Sequence, residues 1–530
     1  MAGKHAASGI TFVVIAAIAW SPSTTGEARP LLYHDSLDAG FGSSSKATGD
    51  FDGDGRIDLA VGVFREDNGA GAIHVFPGST DGITGASDFL IRQSDIPSGS
   101  DVEDDNLGRS LAAGDFDGDG FDDLAAGAPQ KDVVELDEGI VYVIPGSSTG
   151  LDPSQGSLFS EQDIVGADGP EIMDGFGAAL TAGNLGQGAA DDLAIGSVEE
   201  GVGAVAAAGT VTVAYGSPTG LDLVQAEVWS QASPGIAETP EEFDTFGFSL
   251  AIANLGRSAQ SDLAIGVPGE GLHGRPEAGA VHVLYGSPTG VTAMGAQFWH
   301  QGKREVENRL RGYDFFGFSL AAGNVGRSPQ ADLAIGVPRE RIGERRGGAV
   351  AVLYGSTSGL TANGDQLLSQ NSPGMGSRSQ LSDSFGWSIA IGDLGRGAAG
   401  DLAISAPGED VDEVFRGGVV HVVYGSPTGL HATGSQLFSQ ATPGISDGPE
   451  FAESFGTALA IGDLGHGPIG DLVVGVPEER LGAQSSAGAI HVLFGTSTGV
   501  TVTGAQFVHQ NRPGVADAAE DSEAFGGAFG

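Results

Sequence analysis

Asp50, Asp52, Asp54 and Asp58 stand at positions 1, 3, 5 and 9 of a single short loop, in the stretch GDFDGDGRIDLAVG at residues 49–62. Gly53 and Gly55 lie between them and let the backbone wrap. Alternate carboxylates, with the main-chain carbonyl of Arg56 at position 7, make an all-oxygen donor set from one turn, and the Arg56 side chain is free to point outward. A hard cation such as calcium takes six to eight oxygens at about 2.3–2.6 Å, and flexible cages built from protein favour it over magnesium. The stretch GDFDGDGFDDLAAG at 114–127 repeats the arrangement with Asp115, Asp117, Asp119 and Asp123, and with Phe121 as the carbonyl donor. Asp122 lies off the pattern and is expected to face solvent. Carboxylates crowded this closely repel one another unless a cation or protons neutralise them, and Asp has no reason to protonate near neutral pH. The expectation is two calcium sites, in loops 50–58 and 115–123.

Five further loops keep the frame and lose the charge. NLGQGAADD (184–192), NLGRSAQSD (254–262), NVGRSPQAD (324–332), DLGRGAAGD (393–401) and DLGHGPIGD (463–471) retain the length and both ends, but carry Gly or Ser at positions 3 and 5. Without two anionic ligands a cage loses most of its attraction for a cation. These loops are expected to be metal-free, their terminal Asn or Asp and final Asp bonding the turn's own amides.

The elements that hold the loops repeat with them. Aligned on Asp-Leu, the units fall at Asp58, Asp123, Asp192, Asp262, Asp332, Asp401 and Asp471, spaced by 65 to 70 residues. Each opens near a Phe-Gly pair, at Phe41, Phe176, Phe246, Phe316, Phe385 and Phe455, with Leu107 replacing Phe in the second unit. An eighth pair, Phe525-Gly526, starts a unit that stops at 530. Within a unit, segments such as SLAAGD, DDLAAGAP, GIVYVIPG and AQFWHQ have strand length and alternation between Gly, Pro and Asp turns, and helical spacing is absent. Four short strands per unit, too thin to bury their own faces, predict an all-β fold: a seven-bladed β-propeller.

These motifs resemble the FG-GAP repeats of the integrin α-subunit N-terminal propeller. The resemblance rests on the opening Phe-Gly, the Gly-Asp-x-Asp-Gly-Asp-Gly-x-x-Asp loop, the Leu-Ala-x-Gly-x-Pro strand and Gly-Ala-Val-His-Val-Leu-Tyr-Gly, and covers about residues 41–510. It implies seven blades with calcium between the first two strands of some of them. It also implies ring closure by an N-terminal strand, for which LLYH (31–34) is available, although the seventh unit already owns a fourth strand, AQFVHQ (505–510).

Composition excludes some partners. Sixty-nine acids against 24 bases give a formal charge of −45, which repels nucleic acid and anionic bilayers. With no cysteine, disulfides and thiolate zinc sites are impossible. Lys4 and His5 precede the apolar run ITFVVIAAIAW (10–20), with Gly26 and Ala28 placed for cleavage after Ala28. The reading is a signal peptide over 1–28 and a propeller over 29–530, secreted or at the cell surface and without a membrane span in the mature chain.

Other signals are discounted. GSSTG (146–150) and GTSTG (495–499) match a nucleophile elbow, but other units carry GSPTG or GSTSG in the same place, so Ser148 sits in a recurrent turn. His74, His282, His421 and His491 share a third-strand column that holds Tyr142, Thr212 and Ala351 elsewhere, which suits a strand position better than a joint metal site. The acid two residues before most Phe-Gly pairs, such as Asp105, Asp174 and Asp244, is expected to receive backbone amides at the strand start. KREVENRLR (303–311), the one basic cluster, reads as a salt-bridged loop. The expected function is a non-catalytic calcium-binding module for an extracellular protein or glycan ligand. The alternative, an extracellular hydrolase or lyase acting on glycan or phospholipid, requires a non-repeating cluster of His, Glu, Arg and Tyr facing the central channel.

Overall fold

The computed structural model of the chain describes residues 47–529, apart from 86, 87, 166, 168, 170, 304, 305, 307 and 308. The signal peptide at 1–28, LLYH at 31–34 and the first Phe-Gly pair lie outside the described residues. Seven four-stranded antiparallel sheets follow one another, one per unit, with strands in sequence order. Blade 4 is representative, with strands Ser249–Ala253, Asp262–Val267, Ala280–Ser287 and Gly290–Trp299. First strands of successive blades touch all the way round, blade 7 against blade 1 included. The result is the expected seven-bladed propeller.

Each sheet is sandwiched between its neighbours, and that explains the sequence of the second strand. DLAIGV in blade 4 is buried at every position, as a strand covered on both faces must be. Apolar side chains fill the space between blades: Leu250, Leu263 and Ile265 of blade 4 meet Val211, Val213 and Tyr215 of blade 3. One continuous cluster runs from blade 7 through blade 1 to blade 2.

Antiparallel topology sorts the connections by end. The loops between strands 1 and 2, which hold the acidic sequences, share one end with the turns between strands 3 and 4. The connections between strands 2 and 3, and from each blade to the next, lie at the other.

The residues around Phe525 join blade 7 to blade 1. In blades 2, 3, 5 and 6 the opening Leu or Phe bridges a glycine of the preceding blade, as Phe316 bridges Gly279 and Phe385 bridges Gly348. Phe525 bridges Gly488 of blade 7 in the same way, and its ring packs edge-on to His74 of blade 1 at 5.2 Å. In blades 4, 6 and 7 the unit's own Phe takes that place against His282, His421 and His491. Gly62 N donates to Ala528 O at 3.1 Å and Ala47 N to Phe529 O at 3.0 Å. The pair read from the sequence as the start of an eighth unit thus lies where blade 1 begins its first strand.

A polar motif recurs between blades at the end away from the acidic loops. A Gln closing one blade donates its amide to a Glu of the next: Gln231 to Glu270, Gln301 to Glu340, Gln370 to Glu409, Gln440 to Glu479 and Gln510 to Glu66, at 2.5–2.7 Å. The acid before each Phe-Gly pair belongs to the same group. Asp174, Asp244, Asp383, Glu453 and Glu523 each accept a backbone amide from three residues upstream, and Asp244 and Glu523 also face Glu270 and Glu66. Two carboxyls therefore share one buried site. Burial, reinforced by the neighbouring acid, pushes Glu66 and Glu409 up to about 8 and Glu270 and Glu479 up to about 9. At the interface of blades 1 and 2 a lysine replaces the Glu, and Lys131 Nζ pairs with Asp105 at 2.6 Å.

Two outcomes are expected. A carboxyl whose folded pKa is raised contributes stability that is fully present below its unfolded value of about 4.3 and is lost as pH rises through the folded value. Thermal melts without calcium should therefore show stability falling from pH 6 to pH 9. Glu270→Gln should leave the melt at pH 5 nearly unchanged and raise stability at pH 9 by on the order of 2 kcal/mol; an equal effect at both pH values would contradict the upward shift of Glu270. Phe525→Ala removes a fully buried ring and should cost about 3–5 kcal/mol in denaturant unfolding, as a core Phe does. A loss under 1 kcal/mol would mean that the segment does not close the ring.

Candidate metal centre

The loop frame is built by the aspartate at position 9. Asp58 Oδ2 accepts the N–H of Phe51 at 3.0 Å and its Oδ1 the N–H of Gly78 at 2.8 Å, which ties the loop to the turn after the third strand. Asp123 does the same with Phe116 and Gly146. So do the other five, for example Asp262 with Leu255 and Gly286 and Asp471 with Leu464 and Gly495. The glycine is required by close approach: a Cβ on Gly78, Gly146 or Gly286 would overlap the carbonyl oxygen of Ile57, Asp122 or Ser261. All seven of these aspartates are buried, and burial pushes each up to about 7 against the amide bonds that favour the carboxylate.

On this frame the first two loops gather extra carboxylates. Oxygens of Asp50, Asp52 and Asp58 lie within 4.8 Å of one another, as do those of Asp115, Asp117 and Asp123. Asp54 and Asp119 are outside these trios. Asp54 accepts the N–H of Arg56 and also pairs with its guanidinium at 2.7 Å, so that side chain folds back onto the loop; Asp119 accepts the N–H of Phe121. Asp52 and Asp117 each accept an amide two residues ahead, from Asp54 and Asp119. Burial pushes Asp117 up, with Asp119 and Asp115 adding to the shift. One atom stands out: Asp50 Oδ1 is buried and accepts no hydrogen bond. A buried carboxylate oxygen without a donor is costly in isolation. Here it belongs to the trio, so the donor set suits a hard cation.

Asp122 does not face solvent. Its Oδ2 accepts the N–H of Asp50 at 2.8 Å, so the second loop caps the first. Spacing within one loop could not show this, because the partner is 72 residues away.

The degenerate loops do as expected at their ends and more at their middle. Asn254 Oδ1 accepts from Gly256 N and its amide donates to Ser258 O; Asp393 Oδ1 accepts from Gly395 N. Position 4 carries an arginine in blades 4, 5 and 6. Arg257, Arg327 and Arg396 lie over Tyr285, Tyr354 and Tyr424 at 3.9–4.1 Å from the ring centroids. Each also donates to a carbonyl in the 3–4 turn of the next blade: Ser358, Thr428 and Thr498. In blade 7 His466 stacks on Phe494 instead. Each arginine is thus held by a cation–π contact within its own blade and ties the loop to the following blade by a hydrogen bond. The signal was visible as Arg in NLGR, NVGR and DLGR, but its partners lie across a blade boundary.

The discounted signals resolve in kind. Ser147 Oγ donates to Gly150 O, as Ser217 does to Gly220 O and Ser426 to Gly429 O, so the GxSxG matches are hydrogen-bonded turns. His74, His282, His421 and His491 are buried within separate blades, and burial pushes His282 and His491 down to about 3. The axial channel, about 70 Å³, is lined by first-strand residues such as Thr48, Thr181, Ala251, Ile391 and Ile461. A third acidic trio, Glu161, Asp174 and Glu200, lies at the interface of blades 2 and 3, where Glu161 occupies the Gln position. Among the described residues no helix is long and apolar enough to cross a membrane.

Comparison with known proteins agrees with this architecture. The FG-GAP repeat family matches at residues 41–76 and 107–144. Integrin alpha-PS2 of Drosophila melanogaster is 32% identical over 229 residues, 42% of this chain and 15% of that protein. Integrin alpha-5 of Xenopus laevis is 30% identical over 207 residues, 37% and 17% of the two chains. Phosphatidylinositol-glycan-specific phospholipase D of Rattus norvegicus is 33% identical over 115 residues, 22% and 14%. The chain thus spans under a fifth of the length of these relatives. With two matched repeats, seven units in register and seven blades closed in a ring, the chain is an integrin-α-like FG-GAP β-propeller.

Proposed function

We propose that the protein is a calcium-binding propeller, secreted or held at the cell surface, that binds an extracellular protein or glycan ligand and carries out no chemistry of its own. The observation that carries the ion reading is the contrast among seven loops on one frame. Two bring three carboxylates within 4.8 Å, and in the first of them Asp50 Oδ1 has no donor, while three of the others are clamped by arginine. Asp50, Asp52, Asp54 and Asp58 with the Arg56 carbonyl would hold one ion, and Asp115, Asp117, Asp119 and Asp123 with the Phe121 carbonyl the other. Calcium supplies charge neutralisation there and a tie across the loop. The protein's own residues do the rest, since position 9 fixes the loop and Asp122 joins the two sites. Export rests on the N-terminal pattern at 1–28, and a binding role on the kinship with integrin α chains. The matched phospholipase D raises the hydrolase alternative, but the small apolar and threonine lining of the axial channel gives it no support.

Calorimetric titration should saturate near two calcium equivalents, and each site at 100-fold over its Kd should add about 2.7 kcal/mol. A stoichiometry near seven would contradict metal-free degenerate loops. Asp52→Ala should shrink the calcium-dependent rise in Tm. The matched control is Gly188→Ala at position 5 of the third loop, where a Cβ meets nothing closer than 3.5 Å. Gly186 is unsuitable, because it has φ of 131° and a Cβ there would overlap the Ser287 carbonyl oxygen. Loss of the calcium response in the Gly188 variant, or its full retention in the Asp52 variant, would overturn the ligand assignment.

A further inference from the structure

The end of the propeller away from the acidic loops carries a local reversal of charge. In blade 5 the connection between the second and third strands is a two-stranded ribbon in which Arg341–Ile342 pairs with Arg345–Arg346. Arg341 and Arg346 are cross-strand partners, whereas Arg345 pairs with Ile342 and so projects from the opposite face of the ribbon. There Arg345 and Arg378, from the connection into blade 6, line one cleft of about 840 Å³. Arg311, from the connection into blade 5, joins the group and pairs with Glu340 at 2.7 Å. The basic cluster read from the sequence as a salt-bridged loop therefore meets a second basic segment that the linear sequence keeps apart.

The other blades provide an internal control. The Ile342–Arg345 pair corresponds to the bridges Val202–Val205, Leu272–Arg275, Val411–Val414 and Leu481–Gln484. The place of Arg346, whose carbonyl accepts an amide from the following connection, is held elsewhere by Ala206, Pro276, Phe415 and Ser485. The place of Arg311, three residues before the strand-start acid, is held by Glu171, Glu241, Gln380, Glu450 and Glu520. Blade 4 shares the arginine at the Arg345 place, as Arg275, whereas the places of Arg346 and Arg311 hold no basic residue in these other blades. Arg341, Arg345 and Arg378 are exposed, and none of them makes an ion pair among the described residues. A chain of charge −45 that gathers exposed guanidinium groups at one place, with Asp314 and Asp383 near them but in no ion pair with Arg341, Arg345 or Arg378, offers planar forks suited to carboxylates.

We propose that the cleft at this end of blades 5 and 6 docks a short acidic peptide segment of a partner protein, read by Arg345 and Arg378. The inference rests on the reading of the propeller as a binding module and is independent of its ion sites. Shortness follows from the surroundings: Glu409, Asp410 and Asp412 form the facing wall of the same cleft. A long uniform polyanion would have to cross them, within reach of their field at a Debye length of about 8 Å. A peptide with a few carboxylates would not.

The probe is a short fluorescent peptide of alternating Glu and Ser, followed by polarisation with the full chain. Binding should weaken as salt is raised. It should fall about tenfold or more in the double variant Arg345→Val, Arg378→Ser, the first of which installs the residue that blade 3 carries at Val205. An unchanged Tm confirms that this variant folds; if Tm falls, Arg378→Ser alone should still weaken binding several-fold. Calcium chelation should leave the peptide affinity within about twofold, since the ion loops are at the other end. No binding by the wild type, equal binding by the variants, or tighter binding of a sulfated polysaccharide or single-stranded DNA would overturn the inference. None of those results alters the calcium stoichiometry, which tests the ion reading separately.

Discussion

A buried carboxylate that accepts two backbone amides is the interaction on which the rest of this propeller depends. In each unit the position-9 aspartate joins the start of its loop to the glycine that ends the third strand, as Asp58 joins Phe51 to Gly78. A carboxylate taken out of water is tolerated only when its oxygens find donors, so the loop and the turn cannot relax independently. Blade-to-blade bonds then become possible. Asp122 N donates to Asp50 O, Ser261 N to Asn184 O, Ala331 N to Asn254 O and Ile57 N to Asp463 O, linking each loop to the one before it and blade 7 to blade 1.

Given that frame, charge in the loop is an addition to the turn and not its cause. Blades 1 and 2 place carboxylates at positions 3 and 5 and gain a cation-binding geometry, at the cost of mutual repulsion. Blades 4, 5 and 6 place an arginine at position 4, over a tyrosine, and reach the next blade directly. Both arrangements tie the same loop, one through an ion and the other through a side chain of the protein. A positive group thus sits at this end of five blades under the proposed function, supplied by different chemistry.

The seven units, their strands and the two acidic loops were legible in the sequence because they depend on local pattern. Period-2 alternation, Gly and Asp turns and the spacing of Asp50, Asp52, Asp54 and Asp58 all lie within about a dozen residues. What was missed depends on contacts between blades. Gln231 and Glu270 are 39 residues apart, and each alone reads as an ordinary polar residue beside a turn. Asp122 looks redundant until blade 1 is placed beside it. For ring closure the sequence offered an N-terminal strand or the seventh unit's own fourth strand; the latter forms as Thr501–Val508, and Phe525 and its neighbours occupy the start of blade 1, a place that only the assembled ring reveals. Arg345 and Arg378 likewise line one cleft only after two connections meet.

The central claim is that one frame serves seven loops and that an ion joins it only where positions 3 and 5 are aspartate. The most direct test is an anomalous difference map from crystals grown in calcium, collected at long wavelength. The account predicts two peaks, one among Asp50, Asp52 and Asp58 and one among Asp115, Asp117 and Asp123, with none in the loops at 184–192, 254–262, 324–332, 393–401 and 463–471. Peaks in those five loops, or the absence of any in the first two, would contradict it.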